Sequence, residues 1–200
     1  MSHRDRQRWN EKYREADPAA FDSAPSGWLE EHRTLLQEHA GGRALDLACG
    51  HGRNAFCLAE LGYTVDAVDI SDVAVARVNA EATRRRLAVE ALRLDLETDP
   101  FPNAGYAVVV DFNYLERSIF DDIRSSLTRG GLLIFQTRLR DQCDRVGSGI
   151  DPRFTLDPNE LLDAFSGSGF RVLHYREAVS SLGGGEDGER ALAGLVARRT

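Results

Sequence analysis

The residues best suited to chemistry cluster between Arg43 and Asn54, which read RALDLACGHGRN. Gly50 and Gly52 flank His51 directly after a short apolar run, Ala44-Leu45 then Leu47-Ala48, and an apolar-periodic segment opens at Asn54-Ala55. The run is too short for a helix and reads as a buried strand. A strand, glycine turn and helix in succession let backbone approach a ligand closely, because glycine has no side chain and tolerates positive φ. Amides at the following helix start can receive polar or anionic groups. The turn therefore reads as a nucleotide-type cofactor site. Three carboxylates qualify this: Asp46 lies inside the first strand, Asp69 ends the second and Asp95 ends the third. Gly50 to Ala55 also satisfies the loose GxGxxG/A dinucleotide pattern, with Asp69 about where a ribose partner would stand. Asp46, however, occupies a place where a pyrophosphate site usually wants an uncharged residue. Strand ends that offer three acids suit a cationic, non-phosphorylated ligand.

The elements that must position these residues alternate. Residues 1–15 read as a helix carrying Trp9 and Tyr13 on one face, and Asp17-Pro18 ends it. A loop from Phe21 to Gly27 leads to a helix from Trp28 to about Glu38, stopped by Gly41-Gly42. These aromatics suit either core packing or a lid over the site. After the first strand come a helix Asn54–Leu61, a strand Tyr63–Val68 ending in Asp69, and a helix capped by Ser71 that runs to Arg86. A strand Val89–Leu94, a strand Tyr106–Val110, a helix Ser118–Leu127 and a strand Leu132–Gln136 follow. The alternation predicts an α/β fold with a mostly parallel sheet covered on both faces. Residues 137–157 are arginine-rich and without period, the mark of a functional or mobile segment. Asp157 to Glu160 predicts a helix start with Asp157 as N-cap, Pro158 first and Glu160 closing a capping box. Phe170–Tyr175 and Ala191–Ala197 read as two last strands, with Gly183 to Gly185 a flexible connection. One domain over 1–200 is expected: a helical lid region (1–40), a cofactor-binding core (43–136), an irregular substrate-side segment (137–157) and a C-terminal helix and strand pair (158–200).

Composition excludes several classes. A net charge of −7 repels phosphate backbones, so no nucleic-acid partner is expected. The basic run Arg84 to Arg86 ends a predicted helix and suits its dipole. Cys49, Cys57 and Cys143 form an odd set without CxxC, and the histidines are scattered without HExxH, so neither a disulfide framework nor a metal site is expected. The apolar runs are too short to cross a bilayer and the charged N-terminus lacks a signal-peptide core, which makes a cytoplasmic location the expectation.

The turn DLACGHGRN, the strand end VDAVDIS with Asp69 and the strand end LRLDLE with Asp95 resemble the class I S-adenosylmethionine-dependent methyltransferases. The resemblance runs on through VVVDFNYLER and RGGLLIFQTR and covers most of the chain. GRALDLACGHGRNAFCLAELGYTVDAVD and RFTLDPNELLDAF are most similar to the small tellurite-resistance-type methyltransferases. The resemblance implies a Rossmann-like, doubly wound sheet of about seven strands in the order 3-2-1-4-5-7-6, its last strand antiparallel. It implies S-adenosylmethionine as cofactor, held by Asp46, Ala48, Gly50, Gly52, Asn54, Asp69, Ile70, Asp95, Leu96 and Phe112. Within that set Gly50 and Gly52 admit the methionine part and Asp46 sits near its ammonium. Asp69 accepts the ribose hydroxyls, Ile70 packs on the adenine, Asp95 with the Leu96 amide reads its edge, and Phe112 lines the methionine end.

Methyl transfer from a sulfonium needs alignment more than a catalytic set, because the donor is already activated. A small-molecule acceptor is expected, with Trp9, Tyr13, Asn113, Tyr114, Arg138 and Arg153 as candidate contacts; the arginines suit an anion. No catalytic residue is identified. The chain departs from the tellurite-type family at Glu177 to Ser180, where that family carries a His-Arg pair. Thiols, selenium or tellurium oxyanions, amines and carboxylates stay open as acceptors. An NAD-dependent oxidoreductase on the same turn and a catalytically silent cofactor-binding module are the alternatives.

Overall fold

The computed structural model describes residues 3–17, 24–140, 151–167, 169–180 and 190–200. The elements are α1 (His3–Glu15), α2 (Gly27–Glu31), α3 (Arg33–Glu38), β1 (Arg43–Leu47), α4 (Arg53–Glu60), β2 (Thr64–Asp69) and α5 (Asp72–Arg85). They continue with β3 (Val89–Arg93), β4 (Tyr106–Phe112), α6 (Phe120–Ser126), β5 (Leu127–Arg138), α7 (Glu160–Phe165), β6 (Phe170–Ser180) and β7 (Arg190–Arg199). The strands form one seven-stranded sheet ordered β3-β2-β1-β4-β5-β7-β6, the arrangement the sequence implies. The first five are mutually parallel and β7 runs antiparallel to both neighbours.

Strand side chains alternate between faces, and both faces here are buried. Ala44, Val108, Val110, Leu132 and Ile134 join Trp28, Phe56, Leu58 and Val78 on one side. Leu45, Leu47, Val109, Leu133 and Phe135 join Phe120, Ile123, Leu161 and Phe165 on the other. Unbroken apolar runs such as Val108-Val109-Val110 thus serve two cores at once.

Differences from the sequence reading have local causes. The single helix expected from Trp28 to about Glu38 is broken at His32, whose Nδ1 lies 2.7 Å from the Trp28 carbonyl oxygen while Nε2 meets His174 Nδ1 at 2.8 Å. The helix expected over Ser118–Leu127 becomes a 3-10 turn (Arg117–Ile119) and α6, and Leu127 already pairs with Tyr106 in the sheet. The helix expected from Asp157 starts at Glu160, because Asn159 is left-handed (φ 63°) and the Glu160 carboxylate accepts the Asp157 amide at 2.8 Å. Half of the expected capping box therefore forms, as a turn ahead of the helix. The irregular segment 137–157 begins in β5, which extends through Arg138. Phe21, Cys143 and Gly183 to Gly185 lie outside the described residues.

Trp28, 1% exposed, is core and not lid. A Cβ added to Gly194 of β7 would stand 2.6 Å from Trp28 Cε2, so the indole lies directly on the strand. Gly194→Ala is expected to destabilise the protein by about 1–3 kcal/mol through overpacking. Urea unfolding checks this, and Gly194→Ala in a Trp28→Phe background should lose most of the penalty.

Candidate active site

A cavity of about 320 Å³ opens at the C-terminal ends of β1, β2 and β4, the place where ligands bind in open α/β sheets. Its floor is the turn after β1. Ala48 (φ 49°), Gly50 (φ 55°) and Gly52 (φ 75°) are all left-handed, and for Ala48 that conformation costs about 1–2 kcal/mol. The Gly52 amide donates to Cys49 O at 2.9 Å and closes the turn. Asn113 (φ 60°), just beyond β4, is a second left-handed non-glycine residue at the cavity wall. Two such residues facing one cavity mark strain concentrated where a ligand site is built.

Asp69, 5% exposed, organises the floor. Its Oδ2 accepts the Gly50 amide and its Oδ1 the Ser71 amide, each at 2.9 Å. Burial raises its pKa, and the amides of Ser71, Gly50 and Ile70 pull it back. Each oxygen keeps a second lone pair for a hydroxyl. Asp46 is 1% exposed, and its Oδ2 has no hydrogen-bond partner. Burial pushes it up to about 7, against the Ala55 amide and the Arg53 charge and reinforced by Asp69.

Of the cofactor residues expected from the sequence, Asp46, Ala48, Gly50, Asn54, Asp69, Ile70, Leu96 and Phe112 line the cavity. Gly52 does not: a Cβ there would meet Val78 and Phe56 at 3.0–3.1 Å, so this glycine lets α5 and α4 pack against the turn. Asp95 does not line it either, and its Oδ1 accepts the Glu97 amide at 3.1 Å while Leu94 and Leu96 on either side face inward. Asn54 Oδ1 accepts the Ser26 amide at 2.8 Å and tethers the segment ahead of α2. Of the acceptor-side residues, Trp9, Tyr13, Asn113 and Tyr114 line the cavity. Arg153 is turned away, exposed and paired with Asp151 at 2.6 Å. Arg138 is not in the wall, although Lys12 is, and burial followed by the Arg138 charge lowers the Lys12 pKa.

Helix α1 forms the remaining wall. Tyr13 sits over the turn so closely that a Gly50 Cβ would be 2.9 Å from its hydroxyl, and it meets His51 edge-on. The Lys12 ammonium lies 4.4 Å from the Trp9 ring centre. Arg6 donates to Asp72 at 2.6 Å, and Ser71 Oγ donates to Asn10 Oδ1 at 2.6 Å, so α1 is latched to the start of α5. The sequence reading missed Lys12, Arg53 and Asp111. Asp111 is 1% exposed, both its oxygens lack a hydrogen-bond partner, and burial followed by the Asp46 charge holds it well above the usual carboxylate range. Its position inside an apolar β4 run was the available signal. Among the described residues no group of three His, Cys, Asp or Glu is placed to hold a metal ion, and no helix is long and apolar enough to cross a membrane.

Residues 44–131 match a family model described as a methyltransferase domain. A probable S-adenosylmethionine-dependent methyltransferase of Mycobacterium tuberculosis is 32% identical over 120 residues, 55% of this chain and 42% of the relative. Over this core the chain is similar to S-adenosylmethionine-dependent methyltransferases. The protein named Hemagglutinin 1 of Eikenella corrodens is also similar, 31% identical over 154 residues, 74% of this chain and 50% of the relative. TehB of Haemophilus influenzae, named a probable methyltransferase of the same kind, is 28% identical over 146 residues, 70% of this chain and 50% of the relative. The crystal structure of TehB superposes with a TM-score of 0.72 at 22% identity, covering 98% of this chain and 67% of that one, and shares the fold. The chain spans about half the length of the curated relatives it matches.

The raised Asp46 pKa gives a signed prediction for the protein without ligand. The folded state holds this proton up to about pH 7, whereas the unfolded chain releases it near the model-peptide value of about 4. The folded form is therefore favoured below pH 4 and loses that advantage as pH rises through 7. Asp46→Asn should stabilise the ligand-free protein by about 2–4 kcal/mol at pH 8 and by less than about 0.5 kcal/mol at pH 4. Urea titrations at the two pH values read the difference directly.

Proposed function

We propose that this methyltransferase domain moves a methyl group from S-adenosylmethionine to a small-molecule nucleophile by in-line displacement. The observation that carries the reading is the cavity above Gly50, where Asp69 and the partnerless Asp46 Oδ2 converge at the strand ends. Those residues fit the cofactor. Asp69 has lone pairs for two ribose hydroxyls, Ile70 and Leu96 offer apolar walls for a base, and Asp46 offers a buried acceptor to an ammonium. Bound there, the cofactor supplies a methyl already activated by a positive sulfur.

The chain's own work is alignment and exclusion of water. Phe112 ends β4, Asn113 and Tyr114 follow it on the acceptor side, and Trp9 and Tyr13 close the site from α1. Burial raises the pKa of both Tyr13 and Tyr114, and burial with nearby Arg77 and Lys12 lowers that of His51. The phenols stay protonated and the imidazole neutral at pH 7, so the wall offers hydrogen-bond donors and apolar surface. An acceptor with an available lone pair suits such a wall. A cavity at the small end of the usual range and a net charge of −7 favour a small acceptor over a nucleic acid.

Calorimetry with S-adenosylhomocysteine and NAD tests the cofactor: the first should bind, NAD should not, and Asp69→Ala should weaken binding at least tenfold. Unchanged affinity in that variant contradicts the ribose assignment. A methyl-release assay over pooled small metabolites tests transfer, and silence despite tight cofactor binding identifies a binding module.

A further inference from the structure

The cations of α1 are not placed alike. Arg6 pairs with Asp72 and Arg8 with Asp5. Lys12 lines the cavity instead, and among the described residues no carboxylate lies within ion-pair distance of its ammonium. The ammonium rests on the Trp9 ring, 4.4 Å from its centre, and Trp9 stacks on the buried Tyr13 with ring centres 5.8 Å apart. A cation–π contact of this kind fixes the charge for about 0.5–1 kcal/mol and leaves its N–H donors unspent. The charges that act on Lys12 are themselves cations: burial lowers its pKa, then Arg138, then Arg8. Arg138 ends β5, which lies beside β4 and on the opposite side of β1 from Asp69 at the end of β2. The influence of Arg138 puts the ammonium on the β4–β5 side of the mouth, with Asn113 and Tyr114. Cations thus gather at one edge of the cavity on a chain whose net charge is −7. Like charges brought together repel unless an anion enters between them.

We propose that Lys12 selects an organic acid as the methyl acceptor, its ammonium taking the carboxylate while the Trp9–Tyr13 stack receives the apolar body. The inference rests on the cofactor reading above and adds to it the class of acceptor. An ammonium suits this role because its three donors rotate to meet acids of different shape. The aromatic stack beside it favours a carboxylate on a carbon skeleton over a bare inorganic oxyanion, which would leave that apolar surface uncovered. Lys12 takes no part in bond making. The acceptor's own lone pair forms the new bond to the methyl as the methyl–sulfur bond breaks, and that electron pair goes to sulfur.

The test uses the protein saturated with S-adenosylhomocysteine and reads tryptophan fluorescence. The chain has two tryptophans and Trp28 is 1% exposed, so a probe at the cavity mouth reports through Trp9. Benzoate, phenylacetate and 3-mercaptopropionate are each titrated beside the matching amide and beside sulfate. At least one acid should bind saturably and at least tenfold tighter than its amide and than sulfate, about 1.4 kcal/mol. Lys12→Gln should remove that preference and Lys12→Arg should keep most of it. Raising the salt from about 0.05 to 0.5 M should weaken the acid and not the amide. Calorimetry should find the S-adenosylhomocysteine affinity of Lys12→Gln within twofold of the parent. The proposal is overturned if no acid outbinds its amide, if the preference survives in Lys12→Gln, or if sulfate binds as tightly as the best acid. A tenfold loss of S-adenosylhomocysteine affinity in Lys12→Gln also overturns it, by making Lys12 a contact of the cofactor. A parent protein that does not bind S-adenosylhomocysteine fails the cofactor reading itself, an outcome separate from these.

Discussion

The site depends on one carboxylate. Asp69 spans the end of β2, and by accepting the Gly50 and Ser71 amides it fixes the turn after β1 and the start of α5 relative to each other. Two buried amides that would otherwise lack partners are satisfied, which offsets part of the cost of burying the acid. The constraint spreads outward. Ser71 Oγ receives the Ala74 amide as an N-cap and donates to Asn10, so the same corner that shapes the cavity floor also anchors α1. Sheet, turn and α1 meet at the Asp69–Ser71 corner.

Around that anchor the protein accumulates groups whose placement does not stabilise it. Asp46 and Asp111 are buried acids on neighbouring strands, Arg53 is a cation at the wrong helix end, and Ala48 holds a conformation that suits glycine. Away from the cavity the same chain obeys the ordinary rules. Arg84 and Arg85 sit in the last turn of α5 and pair with Glu81, and Asp66 takes both Arg43 and the Tyr106 hydroxyl. The contrast is sharpest at the cavity wall, where a fold that pairs its charges elsewhere leaves Asp46 and Arg53 without a mutual ion pair.

What the sequence revealed divides along the range of the interactions. Strand–turn–helix alternation, the Ser71 cap and the position of Asp69 are written in neighbouring residues and emerge from periodicity and capping. The break at His32 is not, since it depends on a histidine partner on β6. Gly194 carries no sign of the Trp28 indole that requires it, and Gly52 resembles a ligand-contact glycine until Val78 and Phe56 are seen against it. Arg53 was the hardest to read. An arginine after a glycine turn resembles a solvated surface residue, and only the cavity and the missing partner distinguish it. Arg153 had the same appearance and proves to be one.

Helix α1 differs from the rest of the wall in what holds it. β1, β2 and β4 are fixed by ladder hydrogen bonds and by apolar packing on both faces. Helix α1 contributes Trp9, Lys12 and Tyr13 to the cavity, and apart from Tyr13 it is held mainly by polar contacts. These are the exposed Arg6–Asp72 pair, Asn10 on Ser71, and Arg77 donating to the Tyr13 carbonyl oxygen. Exposed ion pairs contribute about 0–1 kcal/mol, and polar groups released to solvent regain hydrogen bonds from water. Separating α1 from the cavity therefore costs less than separating any pair of strands. The cavity is thus asymmetric, with one wall held by exchangeable polar contacts and the others by the core, and local stability is lowest where such contacts dominate.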